Sequence, residues 1–232
     1  MVLSLIRGDA DHGGFDHIMV GSVAMLGDAK HSFELATRIL LTEVGADGTA
    51  AEAMAQDVRD TDRRINRTEQ GLRSDLVDHV CRHGNEDIET VLGLTLLLKK
   101  IERCGDHAKN ILELTENGVS LAAVPETEAL LTERETMAGL FTTAAELLGS
   151  SDHDSAAIDR YVDRVHTVIA DCQARIDSYM TSDRPGSEVV PLAIYHRFHR
   201  RIAANLLGVV RAWAEPAHLV DLDRDLDAGP ID

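Results

Sequence analysis

The chain has 232 residues, of which 44% are hydrophobic and only 3% aromatic. The hydrophobic share excludes a chain that is disordered throughout, and the scarcity of aromatic residues favours packed helices over a β-sandwich. Lys and Arg number 23 against 40 Asp and Glu, so the formal net charge is −17. This charge repels nucleic acid and anionic membranes over most of the surface, and we expect no nucleic-acid partner.

The N-terminal residues and the cysteines predict a cytoplasmic protein. The apolar run within residues 1–9 is too short for a signal peptide, and no stretch approaches the ~20 apolar residues of a membrane-spanning helix. Cys81, Cys104 and Cys172 are odd in number and form no Cys-x-x-Cys pair. We therefore interpret them as reduced thiols.

The first half of the chain predicts three long helices. Residues 1–14 contain three glycines and are predicted to form a flexible arm. Beyond them, apolar or small residues recur at alternating intervals of three and four, which is the spacing of a buried helical face. The predicted helices cover residues 15–42, 49–83 and 86–117, separated by breaks at 45–48, 84–85 and 117–118.

Three more helices are predicted after Pro125, at residues 126–148, 154–180 and 188–214. Residues 216–232 carry five aspartates and are predicted to form a solvated acidic tail. No strictly alternating segment bounded by a hairpin turn competes with this interpretation. We therefore predict an all-α fold of six long helices, arranged as two tandem three-helix bundles at residues 15–118 and 126–215.

The third predicted helix carries two carboxylates that share one face. Glu102 and Asp106 are four residues apart, which places them about one helical turn apart on the same side. Gly105 lies between them, where a helix interior normally avoids glycine at a cost of roughly 1 kcal/mol. A glycine in this place indicates close approach of another backbone or of a ligand.

The second predicted helix carries a matching polar stripe of Asp62, Asn66 and Glu69, spaced by four and three residues. Two antiparallel helices of one bundle would direct both stripes at a shared cleft, where carboxylate and amide oxygens suit hard or borderline cations. The alternative is that these acids lie on solvated faces, with basic neighbours such as Arg103 and Lys109 as ion-pair partners. Spacing alone leaves both interpretations open.

Other groups of residues are weaker candidates for a functional site. His79 and His83 have the i, i+4 spacing of a zinc pair, but histidines at a helix end also interact favourably with the helix dipole. The chain contains no Gly-x-Ser-x-Gly, P-loop or Gly-x-Gly-x-x-Gly motif that would indicate covalent catalysis or nucleotide binding. An Asp-x-x-His spacing faintly resembles the Glu-x-x-His of di-iron bundles and occurs at Asp28–His31 and Asp163–His166.

The segment from Glu102 to Ala108 resembles the signature of the PhoU family, the regulators of phosphate uptake. That signature has a Glu-Arg-Ile-Gly-Asp-x-Ala core, and this chain matches it with Cys104 in place of the usual Ile. Asp62-Arg-Arg-Ile-Asn66 fits the family's second-helix pattern of an Asp, a branched apolar residue and then Asp or Asn. The resemblance covers about residues 15–215.

The resemblance implies two tandem three-helix bundles and a metal site. Family members bind metal ions through Glu/Asp-x-x-x-Asp motifs, so Glu102 and Asp106 are the implied ligands. Asp62 is the next candidate, and Asn66 is weaker because an amide is a poorer ligand than a carboxylate. The implied cofactor is a divalent or trivalent ion such as Fe, Zn, Mn or Mg.

The second bundle departs from the family pattern. Arg200 and Ala204 stand where the Glu and Asp of the motif are expected, and Asp163 has no second acid four residues on. The second acidic site is therefore predicted to be lost, or replaced by a site built from His196 and His199. We expect one metal site per chain.

The resemblance implies a non-enzymatic adaptor that couples a phosphate transporter to a sensor histidine kinase. It also implies a cytoplasmic homodimer that meets the membrane only through the transporter. The alternatives are a metal-dependent hydrolase that uses Asp62, Glu102 and Asp106, and a structural helical protein whose acidic stripes are merely solvated.

Overall fold

The computed structural model describes residues 15–42, 48–150 and 154–215. Within these ranges the chain forms six helices and no strand, which confirms the all-α prediction, and each predicted helix end lies within two residues of the structural one. The predicted N-terminal arm and acidic tail lie outside the described residues. The helices are α1 (Asp16–Leu41), α2 (Thr49–His83), α3 (Ile88–Glu116), α4 (Thr127–Gly149), α5 (Ser155–Met180) and α6 (Gly186–Ala214).

Glycines with left-handed backbone mark three of the helix ends. Gly48 precedes α2 with φ +70°, Gly84 ends it with φ +75°, and Gly118 follows α3 with φ +82°. Other residues adopt this conformation only at a cost, so these glycines allow the chain to reverse where the sequence predicted breaks. Asp154 caps α5, since its side chain accepts a 2.9 Å hydrogen bond from the Ala156 backbone N–H.

The helices pack as two three-helix bundles that share a continuous core. Helices α1, α2 and α3 contact one another, as do α4, α5 and α6. The bundles meet where α3 packs against α6 and α1 against α4. Helices α3 and α6 run antiparallel, with Cys104 against Ile202 and Lys100 against Gly208 further along the seam. One cluster of buried apolar residues runs through all six helices.

Two histidines lie in the core of the second bundle. His196 and His199 are 0% and 1% exposed, and the ring of His199 packs between those of Phe33 and Tyr195 at centroid distances of 5.2 and 4.0 Å. Burial lowers the pKa of His196 to about 4 and that of His199 to about 3. Both rings are therefore neutral at pH 7. That these two histidines replace the lost acidic site stays a prediction.

Gly105 permits a close approach of α2 to α3. A Cβ atom on Gly105 would lie 2.9 Å from Cδ1 of Ile65, which is closer than carbon atoms pack. The neighbour is a side chain of α2, and not the backbone or ligand expected from the sequence. Gly21 likewise permits a close approach of α1 to α2, because a Cβ atom on Gly21 would lie 2.7 Å from Cδ1 of Leu72.

Substituting Gly105 tests this close packing. Replacing an exposed helical glycine by alanine stabilises a helix by up to about 1 kcal/mol. We expect this gain for Gly71→Ala, because a Cβ at Gly71 meets nothing within 4 Å. Gly105→Ala should gain less or lose stability, because buried Ile65 must move. Urea unfolding of both variants beside wild type measures the difference, and an equal gain in both would contradict the packing argument.

The buried histidines predict a loss of stability in acid. Below about pH 6.5 an unfolded histidine binds a proton, whereas buried His199 remains neutral down to about pH 3, so acid favours the unfolded chain. His199→Leu should remove about 1.4 kcal/mol per pH unit from the slope of unfolding free energy between about pH 6 and 4.5. Urea unfolding across this range measures the slope. An unchanged slope in His199→Leu would contradict the prediction.

Candidate functional site

The acidic residues predicted from the sequence lie along the seam between α2 and α3. Asp62, Glu69 and Glu102 are only 8%, 4% and 9% exposed, while Asn66 and Asp106 are half-buried. Each of these residues either follows a core-facing residue of its helix directly or lies one helical turn from another residue of the set. The packing of α2 on α3 therefore holds these side chains at the edge of the core. Buried carboxylates are rare unless they are paired, so their partners define the site.

Three of the acids form ion pairs. Asp62 Oδ2 lies 3.3 Å from Lys109 Nζ, and Glu102 Oε1 lies 2.8 Å from Lys99 Nζ. The pairing of Lys109 agrees with the alternative that the sequence left open. Lys99 was not singled out from the sequence, although its i, i+3 spacing before Glu102 is a usual one for helical ion pairs. The third pair joins Glu69 Oε1 to Arg73 Nη1 at 3.1 Å.

Asp106 forms no ion pair with any described residue. Burial raises its pKa, and the nearby carboxylates of Glu102 and Asp62 raise it further, while Lys99 and Lys109 oppose the effect. Glu102 and Asp62 therefore lie close enough to Asp106 for their negative charges to act on it, and two lysines offset this effect only in part. This part of the seam, made of Asp62, Glu102 and Asp106, is the acidic cluster.

One oxygen of the acidic cluster has no partner. Glu102 Oε2 is buried and accepts no hydrogen bond, whereas Oε1 of the same group is bound to Lys99. An unsatisfied buried oxygen costs about 1–3 kcal/mol and calls for a cation or a donor. The carboxylate oxygens of the acidic cluster are thus chemically suited to binding a hard cation. Among the described residues, however, no three His, Cys, Asp or Glu side chains converge as metal ligands.

His79 and His31 form hydrogen bonds with aspartates of the first bundle. His79 Nε2 lies 2.9 Å from Asp87 Oδ2, and its ring stacks on that of His83 at 4.5 Å. His31 pairs with Asp57 at 2.9 Å and not with the aspartate three residues before it, which Arg64 holds instead. The structure therefore gives no support to the zinc pair or to the di-iron resemblance.

In the described part of the second bundle, no pair of acids occupies the positions that correspond to Glu102 and Asp106. The guanidinium of Arg200, which stands in the place of the expected Glu, donates a hydrogen bond to Gln173. Asp163 is exposed on α5 and forms no ion pair with a described residue. That the second metal site is lost stays a prediction.

No helix of the described residues is long and apolar enough to cross a lipid bilayer.

Comparison with known proteins bears on the resemblance to the PhoU family. The sequence profile of the PhoU domain matches residues 24–115, a range that contains the whole acidic cluster. No curated protein matches the chain by sequence. The structure resembles the crystal structure of PhoU from Pseudomonas aeruginosa with a TM-score of 0.62 and 17% identity, over 92% of this chain and 99% of that one. The chain therefore carries a PhoU domain at residues 24–115 within a fold of the PhoU type, which confirms the resemblance to the PhoU family.

Proposed function

We propose that the chain is a non-enzymatic regulator of phosphate uptake. The observation that carries this proposal is the PhoU domain over residues 24–115. In this proposal the protein restrains a phosphate transporter, or the sensor histidine kinase of the phosphate-starvation response, through contacts of its helical faces. We also propose that the protein is a cytoplasmic homodimer, which reaches the membrane only through the transporter.

The two grooves of the described structure give no support to the metal-dependent hydrolase. An enzyme needs a concave, water-excluding pocket around its reacting groups. Two surface grooves of about 340 and 300 Å³ occur in the described structure, and neither is lined by Asp62, Glu102 or Asp106. No observation favours the metal-dependent hydrolase.

We also propose that Asp62, Glu102 and Asp106 bind a divalent or trivalent metal ion, with Asn66 as a weaker ligand. The support is the unpartnered Glu102 Oε2 and the effect of the charges of Glu102 and Asp62 on Asp106. A bound ion would neutralise the negative charge that the two lysines do not balance, and it would link α2 to α3. Fe, Zn, Mn and Mg all accept such oxygen ligands.

Metal content tests the acidic cluster directly. We expect about one ion per chain in purified wild type after incubation with Fe, Zn, Mn or Mg, measured by inductively coupled plasma mass spectrometry. Glu102→Ala/Asp106→Ala should lose the ion, because two of the three charged ligands are gone. The control Glu86→Ala/Glu89→Ala removes the same charge from exposed positions and should retain it. Wild type without metal, or equal retention in both variants, would rule out the site.

Phosphate uptake tests the regulatory function. Deleting the gene should raise the uptake of radiolabelled phosphate by cells in phosphate-rich medium, because the restraint on the transporter is lost. Wild type and the Glu86→Ala/Glu89→Ala control should restore the restraint, and Glu102→Ala/Asp106→Ala should fail to do so at equal protein level. Uptake that does not change on deletion would overturn the proposed function, whatever the metal content.

A further inference from the structure

Three exposed arginines gather on the seam between α3 and α6. Arg103 precedes His107 by one turn on α3, and Arg197 and Arg201 lie one turn apart on α6. The rings of His107 and Phe198 stack with a centroid distance of 6.1 Å, which brings these two turns of the antiparallel helices level with each other. Arg103, His107, Arg197 and Arg201 form the arginine cluster.

The three arginines have no anionic partner among the described residues. None of their guanidinium groups forms an ion pair or a hydrogen bond there, although the chain carries 40 acidic residues. Other arginines of the protein do form ion pairs: Arg64 lies 2.7 Å from Asp28, and Arg175 lies 2.7 Å from Glu133. A group of unpaired like charges is unfavourable unless an anion relieves the repulsion.

His107 shows how close the guanidinium groups are. Burial, and then the charges of Arg201, Arg103 and Arg197 in that order, lower its pKa to about 4. The charged groups that act on the ring are therefore these three guanidinium groups. Its buried Nδ1 has no hydrogen-bond partner. Polar donors and positive charge therefore converge at one place on an otherwise acidic protein.

We propose that Arg103, Arg197 and Arg201 form a binding site for a phosphate group. Guanidinium groups present paired N–H donors that match the oxygens of carboxylate and phosphate. A single carboxylate offers two oxygens and one charge, whereas a phosphate group offers three or four oxygens and up to two charges. Three unpaired arginines on two helices are therefore better matched by phosphate.

The surface next to the arginine cluster has room for the rest of a larger ligand. A groove of about 340 Å³ lies between α5 and α6, and Arg197 lines both the groove and the cluster. The groove also has an apolar part made of Ile176, Met180 and Ile194. The phosphate group can therefore come from free inorganic phosphate or from an organic phosphate whose body lies in the groove.

This site is separate from the acidic cluster. Lys109 links α3 to Asp62 of α2 on one side, whereas the stacking of His107 on Phe198 links α3 to α6 on the other. The arginine cluster does not depend on the proposed function, because its binding of phosphate is measured on the purified protein alone.

An NMR titration tests the arginine cluster. The ¹⁵N-labelled full chain is titrated with inorganic phosphate and, separately, with ATP at constant ionic strength, and the arginine Nε–H signals are followed. We expect saturable shifts in wild type, and binding at least about tenfold weaker, or about 1.4 kcal/mol, in Arg103→Gln/Arg197→Gln/Arg201→Gln. Tighter binding of ATP would identify an organic phosphate, and equal binding would identify the free ion.

Two further variants make the result specific. Arg63→Gln/Arg67→Gln/Arg82→Gln removes the same charge from exposed positions of α2 and should bind like wild type. Arg197→Lys/Arg201→Lys keeps the charge, removes the paired donors and should bind more weakly. The proposal is overturned by shifts that do not saturate in wild type, by equal weakening in the α2 control, or by full binding in the lysine variant.

Discussion

Helix α3 packs against three neighbours at once, and the rest of the structure depends on this constraint. It contacts α1 in the core, α2 through Gly105, and α6 across the seam that joins the two bundles. Only a narrow strip of α3 remains at the surface, so its polar residues are divided between two edges. The acidic cluster lies on the edge next to α2, and the arginine cluster lies on the edge next to α6. Opposite charges thus face different neighbours on one helix.

The arrangement of charges in the acidic cluster is unfavourable for the stability of the fold. Three carboxylates share two lysines, the pKa of Asp106 is raised by burial and by the neighbouring carboxylates, and Glu102 Oε2 has no hydrogen-bond partner. Each of these features disfavours the folded state relative to uncharged side chains of the same shape. These features agree with the proposed metal site, and all three residues lie within the range that matches the PhoU domain.

The sequence was sufficient to predict the helices, because glycine breaks and a regular spacing of three and four are local signals. It also predicted the polar stripes of α2 and α3, because side chains four residues apart share a helix face. It could not predict that Ile65 fills the space beside Gly105, or that His196 and His199 lie in the core, because both depend on how helices pack. The arginine cluster was missed for the same reason: Arg103 and Arg197 are far apart in the chain, and only the antiparallel pairing of α3 with α6 brings them together.

The stability of a variant without the two α3 carboxylate charges tests the central claim that the acidic cluster serves function and not folding. Urea unfolding of metal-free Glu102→Gln/Asp106→Asn at pH 7 is compared with that of metal-free wild type. The account predicts an unfolding free energy equal to or above that of wild type, because the substitutions relieve repulsion and preserve shape. A loss of about 2 kcal/mol or more, the size expected when a buried structural ion pair is broken, would contradict it.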